Sequence, residues 1–372
     1  MSMPIFQFPR KIYFQRDILA EISPLLQREG IGRILIVTDK IIRRIVEDRI
    51  SNMRDFQVDI FDEVLPEPEV GYIESVSLSM RGKQYDAIMA IGGGSVIDFS
   101  KSLLVKKEYP DKDLRDVNPF EPLNFKTKLI AVPTTSGTGS DASFGVVLTD
   151  GDRKLALANY DLIPEIIILD SSLAPKNERI IVSTGIDALV HSFEALVANT
   201  SSDLTDALAE KAIITIFDNL EGSVRGEEEA KEKMHLAATM AGIAFSNSGT
   251  AIAHALGHSL GATFHVTHGT CVGLFLPHAI RFNSIDGGSR VKYERIAKML
   301  GLENVGDLIA FIETFYKRIG QPVRVRDTGV NEKEYREKVR LMASKAMMDS
   351  ELAFNPVMAG EDELKSIFLS AY

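Results

Sequence analysis

The first half of the chain alternates between short apolar runs and segments in which apolar residues recur at helical spacing. The runs are rich in Val, Ile and Leu with little polar alternation, which is typical of strands buried on both faces of a sheet. They span residues 33–38, 58–61, 86–91, 128–132, 144–149 and 165–169. Helical spacing occurs at residues 17–29, 40–53, 69–82 and 95–106. This order predicts an α/β fold with a doubly wound, mostly parallel sheet.

The second half of the chain carries no comparable strand pattern. After about Ser183, apolar residues recur at helical spacing as far as Tyr372, which predicts an all-α domain. Residues 170–178 contain Ser, Pro and Asn with little periodicity, so we expect the boundary there. We therefore predict two domains, residues 1–180 and residues 181–372. Residues 6–14 are a candidate edge strand that pairs with another subunit, in agreement with an expected homodimer or higher homo-oligomer.

Composition and charge argue against several classes of protein. The 372 residues carry a formal net charge of -10, and an acidic surface repels nucleic acid and anionic membranes. No apolar run approaches the ~20 residues that cross a bilayer, and the first residues do not resemble a secretory signal. The single cysteine, Cys271, excludes an intrachain disulfide and fits a reducing compartment. We expect a cytoplasmic protein that binds neither nucleic acid nor membranes.

A glycine turn in the first half is a candidate phosphate-binding site. The apolar run at residues 86–91 leads directly into Gly92, Gly93, Gly94 and Ser95, where a helical pattern begins. Glycines let a ligand approach the main chain closely, and the unpaired N–H groups at a helix start attract anions. The alternative is a tight turn with Ser95 as a plain N-cap.

Two further features of the first half suit a dinucleotide. The apolar run at residues 128–132 is followed by a loop of small and hydroxyl residues at 133–140. Such a loop can wrap the phosphate and ribose groups of a nucleotide. The alternative is a mobile surface turn. Asp39 ends the first apolar run, where a carboxylate can accept hydrogen bonds from an adenosine ribose and repel a 2′-phosphate. Such a contact favours NAD over NADP. Alternatively, Asp39 is only the N-cap of the following helix.

The helical half contains a candidate metal centre. Asp187 and His191 lie four residues apart, as do His254 and His258, so each pair shares one face of a helix. Residues 234–280 contain six of the seven histidines of the chain, five of them from His254 to His278, and no Lys, Arg, Asp or Glu. Buried imidazoles need partners, and a divalent ion supplies them. The alternative is a set of core histidines bonded to backbone carbonyls. The mixed ligands suit Fe²⁺, Zn²⁺, Mn²⁺ or Co²⁺ without choosing among them.

The sequence resembles the iron-containing (group III) alcohol dehydrogenase family over nearly its whole length. The resemblance rests on motifs that occur in the family's order: ILIVTD at residues 34–39, AIGGGSVID at 90–98, PTTSGTGSD at 133–141, TGIDALVHSFEA at 184–195 and HALGHSLGATFHVTHG at 254–269. It implies a nucleotide-binding α/β domain and a helical metal domain, with a catalytic cleft between them, an architecture also found in dehydroquinate synthase.

Family roles carry over to matching positions. The metal ligands would be Asp187, His191, His254 and His268, with iron as the expected ion and zinc as the alternative. His258 would lie beside the metal, near the substrate or in a proton path. The nucleotide would contact Asp39, Gly93, Gly94, Ser95, Thr134, Thr135, Thr138 and Lys154. Two positions depart from the family: Glu67 lies between two prolines where many relatives carry Asn, and Thr267 replaces a proline.

The resemblance implies hydride transfer between NAD or NADP and a small alcohol or aldehyde. The metal would polarise the substrate oxygen as a Lewis acid. A glycerol-type polyol dehydrogenase is the nearest alternative. A dehydroquinate-synthase-like lyase is less favoured, because the uncharged stretch at residues 234–280 offers no cations for a phosphorylated substrate. A non-catalytic nucleotide or metal sensor is a third alternative, which retention of the complete ligand set disfavours.

Overall fold

The computed structural model describes residues 5–151 and 153–372. The chain forms two compact units, one ending at Pro175 and the other extending from Lys176 to Tyr372. Each unit has its own hydrophobic core, and the two are described in turn.

The first unit is built on a parallel sheet. The strands are β1 (Lys11–Phe14), β2 (Arg33–Val37), β3 (Gln57–Phe61), β4 (Ala87–Gly92), β5 (Lys128–Pro133), β6 (Gly145–Asp150), β7 (Arg153–Ala158) and β8 (Ile166–Leu169). Among the described residues, six of them form a sheet in the order β1-β8-β5-β4-β2-β3, and every pairing in it is parallel. The predicted parallel sheet is confirmed.

Helices cover both faces of this sheet. They are α1 (Ser23–Arg28), α2 (Lys40–Ile45), α3 (Glu47–Ser51), α4 (Val70–Ser79) and α5 (Gly94–Glu108). Along β2, Ile34 and Ile36 belong to the core that includes residues of α1 and α3, whereas Leu35 and Val37 belong to the core under α4 and α5. Because both faces of β2 are buried, its apolar residues are consecutive rather than alternating.

Residues 144–149 form a strand, as predicted, but this strand does not belong to the parallel sheet. They form most of β6, which pairs antiparallel with β7 in a separate two-stranded sheet. The two strands meet at a turn where Gly151 has a φ of +63°. Along β6, Val146 and Leu148 are buried while Val147 is 49% exposed, so this strand has one solvent face and suits a hairpin. Strand β7 was not predicted, since it opens with two cations.

Two other local predictions compare as follows with the structure. Lys11–Phe14 is an edge strand, as expected, and one of its edges pairs with β8 of the same chain, while pairing of the other edge with another subunit stays a prediction. The segments expected to be single helices at residues 17–29 and 40–53 are each divided. The first becomes a 3-10 turn at Ile18–Glu21 followed by α1, and the second becomes α2 and α3, which meet at Val46.

The second unit is entirely helical within the described residues, as predicted. Its helices are α6 (Glu178–Val197), α7 (Asp203–Val224), α8 (Glu228–Ser248), α9 (Ile252–Phe264), α10 (His268–Asn283), α11 (Gly287–Met299), α12 (Val305–Ile319), α13 (Glu332–Met347) and α14 (Glu361–Ala371). Helix α6 lies at the centre and packs against α7, α8 and α10. Its residues from Gly185 to Val197 are buried without interruption.

By length and composition alone helix α6 could span a bilayer, although Asp187 and Glu194 interrupt its apolar residues. Its length is 20 residues, and 83% of its most apolar window is buried within the structure. A helix at the core of a folded domain has the same composition, because apolar neighbouring helices surround it on all sides. The composition of α6 therefore follows from its central position.

His278, on α10, gives the second unit a pH-dependent stability. Burial, together with the positive charges of Arg281 and Arg324, lowers the pKa of His278 to about 4 from its ordinary 6.5. The unfolded chain takes up this proton near pH 6.5 while the folded chain does not, so stability is lost as the pH falls from 6.5 towards 4. When the pH falls from 7 to 5, we expect His278→Gln to lose about 2 kcal/mol less unfolding free energy than wild type. Urea unfolding of wild type and of His278→Gln at both pH values measures this difference. The same change in unfolding free energy in both proteins would contradict the prediction.

Candidate active site

One face of α6 carries three buried groups that could act in a site. Asp187, His191 and Glu194 are spaced four and three residues apart, so they project from the same side of the helix. All three lie among apolar neighbours and are at most 6% exposed. Buried charged and polar groups are costly unless they are paired, so this face requires partners from other helices.

The starts of α9 and α10 supply two of these partners. His254 lies in the first turn of α9, and His268 is the first residue of α10. The start of α10 lies directly against α6, since a Cβ atom added at Gly269 would be 1.9 Å from the Ser183 carbonyl oxygen. Only glycine permits this approach, which brings the preceding His268 towards the acidic face of α6.

The three histidines among the predicted metal ligands converge on one carboxylate oxygen of the fourth, Asp187. Oδ1 of Asp187 lies 3.2 Å from His268 Nε2, 3.7 Å from His254 Nε2 and 3.9 Å from His191 Nε2. Candidate ligand atoms of Asp187, His254 and His268 all lie within 4.8 Å of one another, a group that does not include His191. Ligands about 2.1 Å from a tetrahedral ion are separated by about 3.4 Å. The observed spacing therefore suits a divalent cation.

Hydrogen bonding within the cluster supports the same conclusion. Asp187 Oδ1 and His254 Nε2 are buried and make no hydrogen bond to any described residue. The other ring nitrogen of His254, Nδ1, lies 2.5 Å from Glu194 Oε2, which places a proton on Nδ1 and leaves Nε2 as the nitrogen that can bind a metal ion. A carboxylate behind a histidine in this way is the usual arrangement at metal sites. The residues present fit a metal ion.

Glu194 was not among the residues predicted from the sequence, yet it organises this site. Its carboxylate accepts hydrogen bonds from the backbone N–H groups of Ala251 (2.8 Å) and Ala253 (2.6 Å), at the start of α9. Burial alone would lower the pKa of His254, but the Glu194 charge and Asp187 raise it to about 10. Burial likewise favours the neutral form of Asp187, but the surrounding imidazoles hold its pKa well below its ordinary value. His254 therefore binds a proton strongly when no metal is present, and a cation beside the Asp187 carboxylate can replace that proton.

His258 lies beside the cluster, one turn after His254 on α9. Its ring stacks on that of His268, with centroids 5.2 Å apart, and its side chain is 39% exposed. Its Nδ1 lies 2.8 Å from Asp349 Oδ2, while Asp349 Oδ1 accepts a hydrogen bond from the backbone N–H of Glu351. Asp349 therefore holds His258 in one orientation. This partner was also missed, because no spacing links it to the histidine.

The glycines of the turn in the first unit allow close packing against neighbouring side chains. A Cβ atom added at Gly92 would lie 2.5 Å from the Val96 side chain, and one at Gly94 would lie 3.0 Å from Thr138. Helix α5 begins immediately after Gly93, and within the described residues no side chain caps that start. Its first N–H groups remain available for an anion such as a phosphate.

The hydroxyl-rich loop lies against this turn. Thr134 is buried and its backbone N–H donates to the carbonyl of Gly92, 3.0 Å away. A Cβ atom at Gly93 would lie 3.5 Å from Thr135 Oγ1, and Thr138 borders the next glycine. The structure thus brings together the glycines and threonines predicted for nucleotide binding.

Asp39 and Lys154 complete the set of predicted nucleotide contacts. Asp39 caps α2, since its Oδ1 accepts hydrogen bonds from the N–H groups of Ile41 and Ile42 at 2.8 and 2.9 Å. The N-cap interpretation of Asp39 is therefore observed, and a ribose contact would be an additional role. Lys154, on β7, forms an ion pair with Glu67 at 2.8 Å.

Cys271, the one cysteine of the sequence, lies outside the cluster's ligand set. It is fully buried on α10, and burial raises the pKa of its thiol to about 12. It packs as a small apolar residue, and no reactive thiolate forms near neutral pH.

Both units match models of one protein family. The model described as iron-containing alcohol dehydrogenase matches residues 9–171. The model for the C-terminal region of the Fe-containing alcohol dehydrogenase family matches residues 181–372. The chain belongs to the iron-containing alcohol dehydrogenase family, as its motifs predicted.

Curated relatives fall into two groups by length. The chain is 34% identical to the aldehyde-alcohol dehydrogenase of Streptococcus pneumoniae, over 100% of the chain but only 46% of that relative. It thus spans about half the length of this longer protein. It is also 34% identical to the NADPH-dependent butanol dehydrogenase of Clostridium saccharobutylicum, over 99% of the chain and 97% of the relative.

Solved structures share the complete fold. An iron-containing alcohol dehydrogenase from Thermococcus thioreducens superimposes with a TM-score of 0.91 at 33% identity, covering 99% of each chain. A 1,3-propanediol oxidoreductase gives a TM-score of 0.92 at 29% identity and covers 100% of both chains. Sulfoacetaldehyde reductase from Bifidobacterium kashiwanohense in complex with NAD⁺ gives 0.90 at 26% identity, covering 100% of this chain and 99% of the other.

Proposed function

We propose that this protein is a metal-dependent alcohol dehydrogenase that transfers hydride between NAD or NADP and a small alcohol or aldehyde. The observation that carries the proposal is the convergence of three imidazoles on one buried carboxylate oxygen, Asp187 Oδ1. Family membership and the substrates named for the relatives, butanol among them, support the same activity.

The metal would be held by Asp187, His191, His254 and His268. One carboxylate and three neutral imidazoles leave a divalent ion positively charged, so when bound it supplies Lewis-acid polarisation of the substrate oxygen. Iron is the proposed ion because the family is iron-containing, with zinc as the alternative. Glu194 fixes the tautomer of His254 and keeps its Nε2 directed at the cluster.

The nucleotide would lie across the glycine turn. The uncapped N–H groups at the start of α5, with Gly93, Gly94 and Ser95, would bind its pyrophosphate. The threonine-rich loop, at Thr134, Thr135 and Thr138, would line the cofactor. Asp39 favours NAD, and the NAD⁺ complex of sulfoacetaldehyde reductase supports use of this cofactor.

His258 is the proposed proton carrier. Its exposed edge reaches solvent, and Asp349 holds the proton on Nδ1, which leaves Nε2 to take a proton from an alcohol and return it to a carbonyl. Residues 234–280 contain no charged side chain, so the substrate is expected to be small and uncharged, with diols included. A cytoplasmic location and a homo-oligomeric assembly belong to the same proposal.

A substrate panel tests the activity. The protein is reconstituted separately with Fe²⁺ and Zn²⁺ and assayed with NAD⁺ or NADP⁺ and short alcohols, diols and glycerol, and with NADH or NADPH and the corresponding aldehydes. We expect metal-dependent change in nicotinamide absorbance with at least one alcohol–aldehyde pair. Absence of turnover with every pair in both metal forms, despite bound metal and nucleotide, would contradict the proposal.

A further inference from the structure

The first turn of α9 is capped by residues that are distant in the sequence. Its N-cap residue, Ala251, has no side chain that could accept a hydrogen bond. The Glu194 carboxylate accepts hydrogen bonds from the N–H groups of Ala251 and Ala253 instead. The N–H between them, that of Ile252, donates to Asn355 Oδ1 at 3.3 Å. Glu194 and Asn355 together therefore fix the place where α9 begins.

The side chain of Asn355 is held in one orientation. Its Nδ2 donates to Asn283 Oδ1 at 2.8 Å and to the Val357 carbonyl at 2.7 Å, while its Oδ1 accepts from Asn283 Nδ2 at 2.9 Å. The two amides form a reciprocal pair, and neither residue is more than 6% exposed. Because both Nδ2 hydrogens are bonded, Oδ1 remains directed at the N–H of Ile252.

This amide pair joins the two helices that supply histidines from outside α6 to the cluster. Asn283 is the last residue of α10, whose first residue is His268. Ile252 is the first residue of α9 and precedes His254 by two positions. Asn355 therefore contacts both helices at once, and it fixes the start of α9 relative to α10.

The segment that leads to Asn355 is anchored as well. Glu351 Oε2 accepts a hydrogen bond from Thr250 Oγ1 at 2.5 Å, immediately before α9. The Phe354 carbonyl accepts one from the backbone N–H of Asn199 at 2.9 Å, in the loop between α6 and α7. Because the segment is bonded to two loops of the same unit, Asn355 is a fixed point for the start of α9.

We propose that Asn355 is a positioning residue for the metal centre, and that it acts by fixing His254 relative to Asp187 through the first turn of α9. Metal–ligand distances tolerate deviations of only about 0.2 Å, so a small shift of this turn weakens metal binding. The Asn355 amide supplies no ligand atom itself. This inference rests on the proposed metal centre and deepens it, since it makes metal affinity depend on a residue outside the ligand set.

Asn355→Ala and Asn283→Ala form a matched pair of variants. Both break the amide pair and should destabilise the metal-free protein, but only Asn355→Ala removes the acceptor of the Ile252 N–H. We expect Asn355→Ala to bind Zn²⁺ about tenfold more weakly than wild type, as for other residues that orient a ligand. Asn283→Ala should keep the wild-type affinity, because the Val357 carbonyl still orients Asn355.

A third variant tests the acceptor directly. Asn355→Asp can still accept from the Ile252 N–H but can no longer donate to Asn283 or to the Val357 carbonyl. It should be destabilised, yet it should bind Zn²⁺ at least as tightly as Asn283→Ala does. Competition with a chromogenic chelator gives the Zn²⁺ dissociation constants, and urea unfolding of the metal-free proteins gives their stabilities.

The outcomes separate positioning from packing. Wild-type affinity in Asn355→Ala, or an equal loss of affinity in Asn283→Ala, would show that Asn355 only packs the helices together, and would overturn the proposal. If Asn355→Ala does not fold, Asn355→Asp decides: a tenfold loss of affinity there overturns the proposal, and wild-type affinity supports it. Wild type that binds no Zn²⁺ would instead count against the metal centre as a whole.

Discussion

Asp187→Ala is expected to give a protein that still binds NADH but retains no metal and no measurable turnover. Asp187 supplies the one carboxylate of the proposed ligand set, and its Oδ1 is the atom on which the Nε2 atoms of His191, His254 and His268 converge. Three neutral imidazoles without it lack the negative charge that favours a divalent cation. Since Lewis-acid polarisation is worth several kcal/mol, kcat should fall by about a thousandfold or more.

His268→Ala should give the same result with less effect on folding. The His268 side chain is 46% exposed, whereas that of Asp187 is 4% exposed. Metal content is measured by mass spectrometry after dialysis, and NADH binding by fluorescence titration. His265→Asn is the matched control, because His265 is exposed at the end of α9 in a left-handed conformation that asparagine tolerates. Variants that keep full activity after chelation and dialysis would show that the ligand assignment is wrong.

Glu194→Gln is expected to weaken metal binding by about 10- to 100-fold, although Glu194 is not proposed to touch the metal. The carboxylate holds the Nδ1 proton of His254, and an amide oxygen holds it less strongly. The same carboxylate accepts hydrogen bonds from Ala251 and Ala253 at the positive end of α9, so the metal-free protein should also lose about 1–3 kcal/mol of unfolding free energy.

Two measurements separate these effects. Competition with a chromogenic chelator gives the metal dissociation constant, and urea unfolding of the metal-free protein gives the stability. Glu221→Gln removes an exposed carboxylate from α7 and should change neither quantity. If Glu194→Gln destabilises the protein but binds metal as tightly as wild type, Glu194 serves only to cap α9.

The sequence predicts the central part of the parallel sheet well, because burial on both faces leaves a simple pattern. β2, β4, β5 and β8 each contain at least four consecutive apolar residues, the pattern expected of strands buried on both faces. The hairpin of β6 and β7 was harder to predict from the sequence pattern. Its outer face is solvated, and β7 begins with Arg153 and Lys154, so the run of apolar residues is short. The break at Val46 between α2 and α3 leaves no mark in the periodicity.

Only the part of the candidate site that lies on single helices could be predicted from the sequence. Spacing along one helix identifies Asp187 with His191, and His254 with His258, but partners from distant segments follow only from the fold. Asp349, which lies 91 residues after His258, is such a partner. Glu194 did leave a signal, since it is a carboxylate within an otherwise apolar and buried helix. A charge in that position requires a partner, and the face it shares with Asp187 indicates where to look.

The central position of α6 also constrains how the second unit can form. As the chain is synthesised, α6 emerges before α7, α8 and α10, the helices that cover it in the finished fold. Until these arrive, a 20-residue helix apolar enough for a bilayer is in contact with water. Nascent chains that stop within α7 or α8 would therefore be prone to self-association and dependent on chaperones. The apolar surface of the helix that carries Asp187 and His191 thus makes the half-finished protein vulnerable during translation.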